Sequence, residues 1–238
     1  MQLLNLRNSI LTFTLVAIAS LLSGVLTACS TTASQNQAQA QNTTGINASD
    51  NKQMNHGSGM HHGSDMNHSM MMDLGQADAN YDLRFIDAMT PHHQGGVSMA
   101  KVALQKSQRP QIKKLANDII EAQNKEIAQM KRWRQAWYPK AGDQPVAYDA
   151  QMGHMMEMSP DQMKGMMMSM DLGTADAQFD LRFLNAMIPH HEGAVTMAQD
   201  ALKKSQHPQI KKLSENIITS QQTEIQQMKQ WRKAWYNK

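Results

Sequence analysis

Met89-Thr90-Pro91-His92-His93 recurs as Met187-Ile188-Pro189-His190-His191, an offset of 98 (187 − 89), and the chain is organised around these two stretches. On a helix, the thioether of Met89 lies one turn from the imidazoles of His92, three residues on, and His93, four residues on, so they share a face. Soft or borderline ligands one turn apart, given twice, point to a metal, and the pairing of thioether with imidazole suits copper best. The competing reading takes Met89 as core filling and the histidines as satisfied surface groups, which is adequate for one copy. Two copies in a chain with 22 methionines, 10 histidines and one cysteine favour the metal.

The likeness extends from Asp73 to Tyr138 and from Asp171 to Tyr236 without insertion. About two-thirds of the positions are identical, so internal duplication sets the architecture. In each copy Asp78 or Asp176 is placed to cap a helix running to about Ser107 or Ser205, with Phe85, Met89, His92, Gly96, Met99 and Ala103 at spacings of three and four. Pro110 and Pro208 then sit in the first turn of a second helix of about 28 residues, whose stripe is Ile112, Leu115, Ile119, Gln123, Glu126, Met130, Trp133 and Trp137. A short turn between long helices makes an antiparallel hairpin, and two hairpins pack most simply as an all-α four-helix bundle. Pro91 and Pro189 fall inside the first helices at a cost of about 3 kcal/mol each. Either they kink the helix and re-aim the histidines, or a helix begins afresh there.

With the turn centred near residue 108, Glu126 stands level with Met89 to His93, and Met130 with Ile86; Glu224 and Met228 fall opposite Met187 to His191. A carboxylate on an apolar stripe needs a partner. That partner is either a histidine, which it orients, or the ion itself. Met99 and Met197 lie two turns beyond His92 and His190, as packing or as further thioethers.

Residues 1–28 read as an export signal, with Arg7 the only charge before the apolar run Ser9 to Leu26. Leu26-Thr27-Ala28-Cys29 resembles the lipobox of bacterial lipoproteins, which implies acylation of Cys29; Ser30 lacks the aspartate that often retains such proteins in the inner membrane. The expected location is the periplasm or cell envelope, lipid-anchored, at the outer membrane. With Cys29 consumed, a copper protein in an oxidising compartment relies on Met and His.

Residues 29–72 have no apolar rhythm and read as a disordered tether. It carries soft ligands at short intervals: Met54, His56, Met60, His61, His62, Met66 and His68, then Met70-Met71-Met72. Residues 139–170, between repeats 73–138 and 171–238, are broken by Gly142, Pro145, Gly153, Pro160 and Gly165 and carry Met152, His154, Met155, Met156 and Met158 among further methionines. This is a linker doubling as a thioether cluster for Cu(I) or Ag(I), or else a short amphipathic helix packing methionine on the bundle.

The 23 basic and 20 acidic residues are interspersed, giving +3 with no basic stripe, so nucleic acid is not an expected partner.

Phe85-Ile86-Asp87-Ala88-Met89-Thr90-Pro91-His92-His93, followed by Val97, Met99 and Ala100 and by Glu126 and Met130, resembles the CopM-like, ferritin-like histidine-pair family, first catalogued as a domain of unknown function. Ile188 and Ala194 bring the second copy closer to the family pattern than Thr90 and Gly95-Gly96 bring the first. The resemblance implies a ferritin-like bundle that binds copper, as Cu(I) and Cu(II), with silver as an analogue, in the bacterial envelope. It implies a role in copper sequestration, resistance or homeostasis, with an envelope copper-efflux system as the expected protein partner. Two other classes fit the sequence less well. A di-iron oxidase requires Glu-x-x-His pairs, and no histidine has a glutamate three residues before it. A structural envelope lipoprotein leaves the Met and His clusters unexplained. No nucleophile, base and orienter set is present, so no catalysis is expected.

Overall fold

The computed structural model describes residues 73–238. The segments read as an export signal, a lipidation site at Cys29 and a tether, residues 1–72, lie outside the described residues. Those described form α1 (Tyr81–Lys106), α2 (Pro110–Trp137), β1 (Val146–Asp149), β2 (His154–Glu157), α3 (Pro160–Met167), α4 (Phe179–Lys204) and α5 (Pro208–Tyr236). The architecture is a helical bundle of two antiparallel hairpins, α1–α2 and α4–α5, with a small antiparallel sheet between them in sequence. Among the described residues no helix is long and apolar enough to cross a membrane.

Pro110 and Pro208 occupy the first turns of α2 and α5, where the missing N–H has no intrahelical partner to lose. Pro91 and Pro189 lie within α1 and α4, which run unbroken through them, so neither helix begins afresh at its proline. The expected aspartate caps are corrected. α1 starts at Tyr81 with Asn80 at its N-cap, and the Asp78 carboxylate instead accepts from the Asn80 amide at 2.9 Å and binds Arg84 at 3.0 Å. Asp176 repeats this with the Gln178 amide at 2.9 Å and Arg182 at 3.0 Å. Arg84, 1% exposed, ties the preceding loop down by donating to the carbonyls of Leu74 at 2.6 Å and Gln76 at 2.7 Å.

α1 and α4 pack antiparallel, so the start of each meets the end of the other. Tyr81 donates its hydroxyl to Asp200 at 2.8 Å, Lys204 donates to the Gly75 carbonyl at 2.8 Å, and Lys106 donates to the Gly173 carbonyl at 2.6 Å. This crossing mixes the repeats in the core. One packed cluster joins Phe85, Ile86, Met89 and Met130 to Met197, Ala198 and Ile217. The other joins Phe183, Met187 and Met228 to Met99, Ala100 and Ile119. Each fully buried side chain of this size contributes about 1.5–3 kcal/mol, so neither hairpin's core is complete alone.

The linker, residues 139–170, holds the two-stranded sheet and the short helix α3. β1 pairs with β2 in the register Val146↔Glu157 to Asp149↔His154. α3 begins with a capping box between Ser159 and Gln162 and ends at Met168 in the left-handed conformation. Asp87, 3% exposed, anchors the sheet: it accepts from the Val146 amide at 3.0 Å and from Arg134 at 2.6 and 3.1 Å. Burial raises its carboxyl above the usual range, and the bonds from Arg134 and Val146 work against that. Asn185, the counterpart of Asp87, holds Arg232 through one bond of 3.2 Å. On α1, a Cβ added at Gly95 would stand 1.7 Å from the carbonyl oxygen of Met167, so glycine there lets the linker backbone approach.

Candidate metal centre

α1 and α4 carry His92, His93, His190 and His191 into the bundle interior, each 0% exposed. The rings form a row. His93 and His92 have centroids 6.4 Å apart, His92 and His190 3.9 Å, and His190 and His191 6.2 Å. A glutamate closes each end: His93 Nε2 lies 2.8 Å from Glu126 Oε2, and His191 Nε2 lies 2.6 Å from Glu224 Oε2. The glutamates reach the histidines from the partner helices of their own hairpins, at the level the turn position dictates. Their side chains are 16% and 20% exposed, so they bridge solvent and the buried histidines.

An ionised carboxylate accepts and does not donate, so in the neutral rings Nε2–H is the donor and Nδ1 carries the lone pair. Among the described residues, Nδ1 of His93 and Nδ1 of His191 have no hydrogen-bond partner. A buried imidazole with one nitrogen held by a carboxylate and the other bare matches the way protein histidines are prepared for a metal. His190 differs from these two. Its Nε2 donates to the His92 backbone carbonyl at 3.0 Å, and its pKa is held down to about 3. Burial is the main cause, followed by His191 and His93, and the carbonyls of His92 and Met167 pull the other way.

Methionine supplies the soft part of the surroundings. Met89, Met130, Met187, Met197 and Met228 are 0% exposed and Met99 is 2% exposed. Met197 shares the first hairpin's cluster and Met99 the second's, so each packs in the other repeat's cluster. Among the described residues no group of three His, Cys, Asp or Glu side chains is placed to hold a metal ion.

The linker cluster divides. Met158 and Met166, at 7% and 4% exposure, pack with Met89 and Met130, which is the packing alternative. Met152 and Met156, at 67% and 37%, face solvent, as does His154, while Met155 is half-buried. The candidate ligands Met54, His56, Met60, His61, His62, Met66 and His68 lie outside the described residues.

Sequence reading placed Gln123 on the core stripe without giving it a role. Gln123 and its counterpart Gln221 are both 3% exposed, and among the described residues their Oε1 atoms have no hydrogen-bond partner. A Cβ at Gly96 would stand 2.6 Å from Gln123 Oε1 and 2.9 Å from His190 Cε1, so the two lie within 5.5 Å of each other (2.6 + 2.9). The departure of Gly96 from the alanine of the second repeat thus makes room for His190. An amide recurring on an apolar stripe at the same place in both repeats was the available signal.

A family model described as a domain of unknown function, DUF305, matches residues 20–134 and 82–232. The chain is similar to the solved structure of CopM in the Cu(II)-bound form, with 43% identity and a TM-score of 0.52 over 65% of this chain and 97% of that one. It is similar to CopM in the Cu(I)-bound form at 41% identity and a TM-score of 0.50, with the same coverage of 65% and 97%. Among curated proteins, uncharacterized protein L153 of Acanthamoeba polyphaga mimivirus is 47% identical over 49 residues, which are 21% of this chain. The chain spans 32% of that protein's length.

Proposed function

The chain belongs to the DUF305 family, and from that premise together with the row of buried histidines we propose that it is a copper-binding protein of the cell envelope. The observation that carries the reading is the pair of carboxylate–histidine contacts, Glu126 to His93 and Glu224 to His191, each leaving a buried Nδ1 without a hydrogen-bond partner among the described residues. Leaving a polar atom so costs about 1–3 kcal/mol, which coordination of an ion removes. The solved CopM structures carrying Cu(I) and Cu(II), at 41% and 43% identity, support copper as that ion.

His93 and His191 bind the ion through Nδ1, and Glu126 and Glu224 hold the rings in that tautomer. Met89, Met130 and Met197, with Met158 and Met166 of the linker, on one side, and Met187, Met228 and Met99 on the other, are the thioethers within the two clusters. Thioethers are soft and neutral, so they favour Cu(I) and its analogue Ag(I) over zinc. For Cu(II) the harder ligands are the imidazole nitrogens of His93 and His191, with Glu126 and Glu224 kept on their Nε2–H. The protein sequesters copper without turning over a substrate, anchored by lipid at Cys29. It supports copper resistance or homeostasis, handing ions to an envelope efflux system.

Metal analysis of the full chain purified from copper-fed cells tests this. Copper retained by wild type and reduced in a His93→Ala, His191→Ala double variant is expected. Iron in its place, or no metal in wild type, contradicts the reading.

A further inference from the structure

The linker carries a feature that the buried centre does not use. Among the described residues the exposed large hydrophobic side chains are Met152, Met156 and Met170, at 67%, 37% and 60%. All are methionine, and two of them sit on the β1–β2 hairpin. Strand alternation puts His154 and Met156 on the same face of β2, with Met152 in the turn that leads into it. That turn is built rather than loose. The Asp149 carboxylate accepts from the amides of Gln151 at 2.8 Å and Met152 at 2.9 Å, and Gly153, at φ +69°, donates to the Asp149 carbonyl at 2.8 Å. His154 Nδ1 is 3.3 Å from the Met152 carbonyl oxygen, which can only accept, so Nδ1–H donates and the neutral ring keeps its lone pair on exposed Nε2.

The hairpin also stands over a way in. A cavity of about 310 Å³ opens beneath it, lined by residues including Tyr148, Asp149, Met158 and Met166, and by Ala88, the residue before Met89. Met158 and Met166 belong to the same packed cluster as Met89 and Met130. Met158 and Met166 thus join the cavity wall to the first hairpin's core. The second hairpin's cluster contains Met99, Met187 and Met228 and none of the linker methionines.

We propose that the linker hairpin is a solvent-facing capture site for a monovalent soft cation, Cu(I) or Ag(I), formed by Met152, His154 and Met156, and that Met158 and Met166 pass the ion inward to Met89. This deepens the copper reading and rests on it. Each transfer is a ligand exchange between neutral donors, with no change of oxidation state. The first hairpin is loaded by this path, and the linker's close packing on α1, which Gly95 allows, serves it.

The test is stopped-flow tryptophan fluorescence of the full chain mixed with silver nitrate, alongside a count of silver bound per chain. Trp133 packs on the cluster that holds Met89 and reports arrival there. The variant Met152→Leu, His154→Gln, Met156→Leu alters exposed positions and should load several-fold more slowly. It should also bind about one silver ion fewer per chain, with the tightest affinity unchanged. Met170→Leu removes an exposed thioether away from the hairpin and should behave as wild type. Met158→Leu with Met166→Leu, which keeps volume, should slow loading while the hairpin ion remains. Wild-type rate and stoichiometry in the triple variant, or equal slowing by Met170→Leu, overturns the proposal. Failure of the copper reading looks different: wild type itself would bind no silver tightly at the buried histidines.

Discussion

His92 and His190 occupy the same position of the two repeats, and their rings meet at the centre of the bundle with centroids 3.9 Å apart and planes tilted by 40°. The duplication thus places equivalent residues on either side of a local two-fold relation, which turns two histidine pairs into one row. The relation is imperfect. His190 Nε2 donates to the His92 carbonyl, and the room for its ring comes from Gly96, where the other repeat has Ala194.

The carboxylate contacts should set metal affinity. Glu126→Gln with Glu224→Gln lets the amide present either donor or acceptor and so removes the fixed tautomer. We expect copper affinity to fall by about 10–100-fold, the usual effect of losing a partner that orients a ligating histidine. Competition titration against a chromophoric chelator measures it; unchanged affinity would mean that the glutamates only support packing.

Thioether dependence separates the two oxidation states. Met89→Leu with Met187→Leu keeps volume and apolarity and should cost under about 1.5 kcal/mol per site. It should weaken Cu(I) far more than Cu(II), whereas His93→Ala with His191→Ala weakens both. Equal effects of the methionine pair on both ions would place Met89 and Met187 in the core alone.

Acid should destabilise the metal-free bundle through His190. An unfolded histidine protonates near 6.5, while the native ring is held down to about 3. Above 6.5 neither state holds the proton. As pH falls from 6.5 toward 3, the unfolded chain takes up a proton that the native chain refuses, and stability drops by a few kcal/mol. Denaturation at pH 7 and pH 4.5 should show a smaller loss for His190→Gln than for wild type; equal losses would place the sensitivity elsewhere.

Gly95 should tolerate no side chain. Gly95→Ala sets a Cβ 1.7 Å from the backbone oxygen of Met167, so α1 or the linker must move, whereas a Cβ at Gly142 meets nothing within 4 Å. Gly95→Ala should lose about 1–3 kcal/mol or more on thermal melting, as overpacking does. Gly142→Ala should melt within about 0.5 kcal/mol of wild type, as surface substitutions do.

The two hairpins were legible because apolar spacings of three and four, Pro110 and Pro208 at helix starts, and the exact length of the duplication all agree. The Glu126–His93 contact was legible for a related reason: once the turn is placed, hairpin geometry fixes which levels face each other. The linker sheet was not. Its strands are four residues each, and they are held by Asp87 and Arg134, far away in sequence, so local pattern carries little of the signal. The glycine departures of the first repeat were visible as differences, but their cause, the approach of Met167 and His190, is tertiary. The exchange of Met99 and Met197 between clusters depends on the antiparallel crossing of α1 and α4, which periodicity does not specify.

In the proposed centre a metal binds Nδ1 of His93 and His191. The direct measurement is NMR of the full chain with ring-15N histidine, titrated with Ag(I) and assigned with His93→Ala and His191→Ala variants. The Nδ1 resonances of these two residues should shift first while their Nε2–H signals persist on the glutamates. First shifts at Nε2, or a response limited to histidines outside the bundle, would contradict it.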